Sequence, residues 1–147
     1  MSKRISFRGT LPTGEEEVIR LATTNGKKGY KVTQFKLMST QPGGHDYEYI
    51  GKIHNKLQAA AITTNVEFTD YTMVAVGYIK DDQTNEFPYS ESIIFDNSVT
   101  NQDMFVHIVD KTGGSIPCNY YIELEEMALS DIETTKLTLQ SIRTISG

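Results

Sequence analysis

Cysteine occurs once in the 147 residues, at Cys118, and tryptophan does not occur at all. A lone thiol cannot close an intrachain disulfide, so no oxidised scaffold is available and a reducing compartment suits the chain. No run approaches the ~18 apolar residues of a membrane-spanning helix. Met1–Arg8 likewise lacks the apolar core of a signal peptide. The expectation is a soluble protein made in a cytoplasm, with no membrane partner. Positive charge is scarce too: 14 Lys and Arg stand against 19 Asp and Glu, for a net charge of −5. Phosphate backbones repel such a chain unless a local patch outweighs the average. The two dense basic stretches, Lys3-Arg4 through Arg8 and Lys27-Lys28, are short, and neither interleaves with enough aromatic residues to make a stacking platform. Nucleic acid is therefore not an expected partner.

Residues that carry chemistry are equally sparse. The three histidines, His45, His54 and His107, have no close ligand spacing, so a zinc motif is not expected. His107 interrupts an apolar strand, where an imidazole bonded to backbone in a core or interface is the ordinary explanation. Cys118 follows Pro117 at a strand entrance, and a Cys118–His107 pair can be drawn across the preceding turn. A nucleophile also needs a lowered thiol pKa and an oxyanion site, so a small buried filler is the expectation for Cys118. Asp96, Asn97, Asn101 and Asp103 offer oxygen atoms for a calcium ion, but without the spacing or glycine of an EF-hand loop. Acidic runs at Glu15-Glu16-Glu17, Asp81-Asp82 and Glu125-Glu126 read as solvated surface. Gly43-Gly44 and Gly113-Gly114 precede no helix start with a lysine and read as turns, and no Ser sits in a nucleophile elbow. No enzyme activity, cofactor, metal or small-molecule ligand is expected.

What the chain does carry is strand-forming side chains along its whole length, including eight Tyr and six Phe. Its 38 % apolar content and length suit one folded domain over residues 1–147, with no linker or repeat. Arg4–Arg8 alternates with period two, and Glu17–Leu21 reads as a second strand. Asn25-Gly26 with Gly29 supplies the positive-φ positions of a hairpin to the next strand, Tyr30–Met38. Further strands are expected at Tyr47–His54, Val66–Phe68, Tyr71–Ile79, Glu91–Phe95, Met104–Val109 and Asn119–Glu125. Tyr71–Ile79 and Met104–Val109 are apolar on both parities and should be covered on both faces. In Asn119–Glu125, by contrast, Tyr120, Ile122 and Leu124 point inward and Tyr121 outward. Lys56–Ala61 has helical propensity over a single turn. Ser130-x-x-Glu133 forms a capping box that starts a helix over residues 131–145. Ile132, Leu139, Ile142 and Ile145 make one stripe on it, which must cover either the end of its own sheet or a neighbouring subunit. Eight or nine short strands with one C-terminal helix indicate a mainly β fold. A β-sandwich is expected, with jelly-roll as one topology and a barrel as the lesser alternative.

A sheet-rich domain with no convergent titratable cluster serves either as a recognition module or as a part of an assembly. The stretches Ile5-Ser6-Phe7-Arg8-Gly9, Gly29-Tyr30-Lys31-Val32, Ile94-Phe95-Asp96-Asn97 with Asn101-Gln102-Asp103, and Asn119 to Glu125 leading into Leu129-Ser130-Asp131 span most of the chain. In these the sequence resembles small virion structural proteins of marine tailed bacteriophages. The resemblance implies a capsid decoration or cement protein, located in the virion, whose partners are the major capsid protein or another virion protein and further copies of itself. Under that implication Lys3, Arg4 and Arg8 meet an acidic capsid surface, while Tyr121 or the helix residues Leu139, Ile142 and Ile145 make oligomer contacts. A tail, collar or adaptor subunit is the alternative within the virion. A carbohydrate- or receptor-binding sandwich is the alternative outside it, weakened by the lack of tryptophan.

Overall fold

A computed structural model of the chain describes residues 3–58, 62–81, 89–95 and 99–146, with side chains described as far as residue 140. The described residues form nine strands and one helix. In order these are β1 Lys3–Leu11, β2 Glu15–Ile19, β3 Lys28–Ser39, β4 Tyr47–His54, β5 Met73–Asp81, β6 Tyr89–Ile94, β7 Val99–Thr100, β8 Met104–Asp110, β9 Cys118–Ala128 and α1 Asp131–Ser146. The chain pairs from the outside in. β1 pairs with β9, β2 with β8, β3 with β7 and β4 with β5, all antiparallel. Ladders from β3 to β9, β4 to β8 and β5 to β6 complete two sheets, ordered β1-β9-β3-β7 and β2-β8-β4-β5-β6. The fold is a mainly β, two-sheet sandwich with one C-terminal helix. It is not a barrel, because the two sheets share no ladder.

The core lies between the sheets, and the period-two pattern decides which side chains enter it. From β9 come Cys118, Tyr120, Ile122 and Leu124, none more than 3 % exposed. On β3 the inward set changes parity, from Tyr30 and Val32 to Phe35 and Leu37. A bulge between Val32 and Gln34 makes this possible by leaving Thr33 as the extra residue against β9. The Thr33 hydroxyl donates to the Glu123 carbonyl at 3.1 Å, which supplies a partner where the ladder is broken. Phe35, fully buried, then lies across the paired glycines Gly51 and Gly77 of the opposite sheet. A Cβ on Gly51 would come within 3.0 Å of Leu37 and 3.2 Å of Phe35, and one on Gly77 within 3.2 Å of Phe35. Two small positions thus hold one large ring.

The five-stranded sheet is covered on its outer side as well. Tyr47, Tyr49 and Ile53 of β4 face the core, yet Ile50, Lys52 and His54 on the other face are also buried. Their cover is the chain between β4 and β5, described at residues 55–58 and 62–72, which runs as a strap over this face. Asn55 N–H donates to the Thr72 carbonyl at 2.9 Å and closes the strap at its base. Residues 73–79 and 104–110 are covered on both faces, as expected for these strands, but Tyr71 and Thr72, expected to begin the first of them, precede it, and Tyr71 is 83 % exposed.

Several local expectations fail for tertiary reasons. The Asn25-Gly26 turn does not join a hairpin, since β2 belongs to one sheet and β3 to the other. Asp103 Oδ1 accepts the Leu21 and Ala22 N–H groups at 2.7 and 2.8 Å, holding this segment as a crossing between sheets. Val66–Phe68 is not a strand, because the strap crosses the sheet's face instead of joining its edge. Lys56–Gln58 is not helical, and residues 59–61 lie outside the described residues. The capping box forms: Glu133 N–H donates to Ser130 Oγ at 3.2 Å and Ser130 N–H to Glu133 Oε1 at 3.1 Å. Among the described side chains, however, the helix is held by polar atoms and not by the Ile132 and Leu139 part of its stripe; the side chains of Ile142 and Ile145 lie outside them. Asn101 Nδ2 donates to Thr138 Oγ1 and to the Gly26 carbonyl, both at 3.1 Å, while Ile132 is 82 % and Leu139 51 % exposed.

Truncating Phe35 to alanine leaves a cavity across both sheets and is expected to lower unfolding free energy by ~3–5 kcal/mol. Gly77→Val forces the same ring aside and costs ~1–3 kcal/mol. Urea unfolding of the two variants checks both magnitudes.

Candidate functional site

Two places on the sandwich gather polar or exposed side chains that core packing does not require. The first is buried under the strap. Pairing of β4 with β8 sets Lys52 opposite His107, and His54 lies two residues along on the same face. The Lys52 ammonium donates to the backbone carbonyls of Thr63, at 3.2 Å, and Asn65. His54 Nε2 lies 3.2 Å from Asp70 Oδ2, and Asp70 Oδ1 accepts the N–H of Thr72 at 3.0 Å. Glu16 of β2 accepts the Gln58 N–H at 2.8 Å. Each of these bonds runs from sheet to strap or fixes the strap's end, so together they clamp it. A cavity of about 190 Å³ remains between Lys52, His54, His107 and the strap.

The electrostatics of this cluster favour neutral imidazoles. Burial, then the neighbouring His54 ring and the Lys52 ammonium, hold His107 down at about 4 from an ordinary 6.5. His54 is lowered by burial, against the pull of Asp70, and burial likewise lowers Lys52. The two rings stack with centroids 5.3 Å apart and planes 20° from parallel. Nitrogen lone pairs lie in the ring planes, so stacked rings do not converge on one ion. Among the described residues no three His, Cys, Asp or Glu side chains gather to hold a metal.

The second place is the outer face of the four-stranded sheet, which no strap crosses among the described residues. Register sets Arg8 of β1 beside Tyr121 of β9 and Lys36 of β3, and in the next row Thr10 beside Asn119 and Met38. These side chains, with Gly9, Leu37 and Tyr120 of the row between them, line an open groove of about 630 Å³, although the Leu37 and Tyr120 side chains turn to the core. Met38 is 62 % exposed. Further along, Arg4 pairs with Glu123 at 2.5 Å, and Arg4 and Lys31 flank Glu125. That neighbouring cation holds the Glu123 carboxyl below its ordinary range. Among the described residues no ion pair includes Arg8 or Lys36, so the groove rim keeps uncompensated positive charge on a chain of net charge −5.

Three of the residues singled out by sequence, Arg4, Arg8 and Tyr121, thus share this face. Lys3 lies at its far end, in a hollow with Lys27 and Lys28. There Lys28 pairs with Glu126 at 3.1 Å and Lys27 with Asp131 at 3.2 Å. Leu139 is apart from the groove on α1, and the side chains of Ile142 and Ile145 lie outside the described residues. Lys36 and Met38 were missed, although alternation resumed after the bulge places them on the face of Tyr121. The clamp was missed because its histidines meet only through the β4–β8 ladder. Cys118 and His107 do not pair: Cys118 is in the core, whereas His107 is on the outer side of the opposite sheet. Burial pushes the Cys118 thiol up to about 12, so it is no nucleophile at neutral pH. Asn101 and Asp103 are committed to the helix anchor and the sheet crossing, and Asp96 and Asn97 lie outside the described residues.

The fold and these two places define a β-sandwich with a clamped strap on one face and a bare cationic groove on the other. No protein-family model matches the chain, and no curated protein is significantly similar to it.

A histidine held neutral in the fold takes up its proton more readily in the unfolded chain, so stability falls as pH drops from about 6.5 towards 4. For His107 the full effect is roughly 3 kcal/mol, with His54 adding in the same direction. Denaturant midpoints at pH 7 and 5, above the carboxylate range, should show this loss. His107→Gln should flatten the pH slope over that interval.

Proposed function

We propose that the protein is a structural component of a bacteriophage virion, a capsid decoration or cement protein that acts by protein–protein contact and not by catalysis. The observation that carries this reading is the Arg8–Tyr121–Lys36 row with the exposed Met38 beside it, a tyrosine and a methionine set between two cations. Aromatic residues, Met and Arg are the side chains that dominate interface cores. An acidic or apolar surface on the major capsid protein or a neighbouring virion protein fits this face. The exposed Ile132 and Leu139 of α1 offer a second contact. We read the outside-in pairing as a jelly roll with β6 added at one edge, an architecture used by capsid and lectin domains. The resemblance of Ile5–Gly9, Gly29–Val32 and Asn119–Glu125 to small virion proteins of marine tailed phages supports the same placement, with synthesis in the host cytoplasm and assembly into the particle. Many identical weak contacts on a symmetric shell add up through effective concentration.

A glycan-binding reading is favoured by one feature of the same groove: Tyr121 lies beside Thr10 and Asn119, a ring next to hydrogen-bonding groups. A glycan array separates the two.

Purified protein should co-sediment with cognate capsids lacking it and raise their melting temperature. Arg8→Glu combined with Lys36→Glu should weaken attachment at least ~10-fold. Absence of any affinity for, or stabilisation of, such capsids rules the reading out.

A further inference from the structure

The groove has a counterpart on the opposite side of the molecule. Scattered apolar residues on a surface need no explanation, but a concentration of them marks a contact. Between residues 57 and 71 the strap exposes Leu57 (59 %), Val66 (40 %), Phe68 (58 %) and Tyr71 (83 %). These are half of the large apolar side chains that the described residues leave exposed. Phe68 is set in place, its ring meeting Phe95 edge-on at 4.9 Å. Beside it, Glu67 is exposed as well. The strap therefore presents an aromatic ring next to a carboxylate, where the groove presents Met38 and Tyr121 next to Arg8 and Lys36.

We propose that the strap of one copy docks in the groove of the next, Phe68 against Met38 and Tyr121, and Glu67 against the rim of Arg8 and Lys36. The occupant is a second copy of this chain, and the argument for it is complementarity of charge and apolar surface between two faces of one molecule. It rests on the reading of the groove as a protein-docking surface. Strap and groove lie on opposite outer faces of the sandwich, so the contact is heterologous. Two joined copies leave one strap and one groove free, and association runs on into a chain or closes into a ring. The clamp of Lys52 and His54 keeps the strap in docking position. Opposite charges on the two faces make the contact sensitive to salt.

Sedimentation velocity of the full chain, from micromolar to hundreds of micromolar, tests this. At low salt the average mass is expected to rise past that of a dimer with concentration, and to fall when salt is added. Lys36→Glu should weaken association at least ~10-fold without lowering the melting temperature; Glu67→Lys, which also replaces a carboxylate beside Lys52, should weaken it as much when compared well below its own melting temperature. An equimolar mixture of the two variants should associate again, because each strap then meets a groove of opposite charge. Phe68→Ser should weaken association; mixed with Glu67→Lys it should not recover, because both straps are altered, whereas mixed with Lys36→Glu it should recover as far as a dimer through the one unaltered strap and groove. A chain that stays monomeric throughout overturns the proposal, as does association unchanged by the charge reversals or a mixture that fails to recover. Capsid co-sedimentation of the wild-type protein, run in parallel, keeps the two ideas apart. A monomer that still decorates capsids defeats self-docking alone, while a self-associating protein with no capsid affinity defeats the virion reading alone.

Discussion

Burying the Lys52 ammonium is the constraint on which the arrangement of this protein turns. Residues of β4 alternate between a core face and an outer face, and the outer face carries Lys52 and His54 beside His107 of β8. A charged amine removed from water needs acceptors, and here backbone carbonyls of the strap provide them. The strap is thereby tied to the sheet along Lys52, His54–Asp70 and Glu16–Gln58, and its apolar side chains are left facing solvent. A polar cluster of this kind adds little net stability compared with a hydrophobic one of the same volume, but it favours one placement of the strap over others.

The two outer faces of the sandwich consequently differ. One is covered over β4 and β8 by the strap, while over the other no segment crosses among the described residues, and rows of charge lie exposed. Bare antiparallel faces are usually polar, and most of this one complies, with Arg4, Lys31, Glu123 and Glu125 balancing each other. At the Leu11 end the balance lapses: Arg8 and Lys36 have Tyr121 between them and Met38 in the next row. A solvated face gains nothing from an exposed methionine and a flanked tyrosine, whereas a contact does. The cation-rimmed groove and the acidic, aromatic strap follow from the same asymmetry.

How much of this was legible in the sequence depended on the range of the interaction. The alternation of Asn119–Glu125 and the Ser130–Glu133 box are local, and both appear as read. The spacing of Tyr30, Val32, Phe35 and Leu37, two then three then two, is the mark of a bulge and was visible without being interpreted. Turn chemistry at Asn25-Gly26 signalled a reversal but not a partner, and Asp103, far along the chain, sends that segment across to the other sheet. β propensity in Val66–Phe68 was real, yet a segment crossing a sheet's face has no ladder to join. His54 and His107, remote in sequence, meet through strand pairing that no spacing rule contains. Of the stripe Ile132, Leu139, Ile142 and Ile145, the two residues whose side chains are described stay outside, whereas Thr138 of the same helix reaches Asn101.

Membership of a phage shell is measured most directly by counting copies of this chain in purified virions with quantitative mass spectrometry. A decoration role predicts on the order of hundreds of copies per particle, in fixed ratio to the major capsid protein. Absence from the particle, or a count of about a dozen as for a portal or tail part, would contradict it.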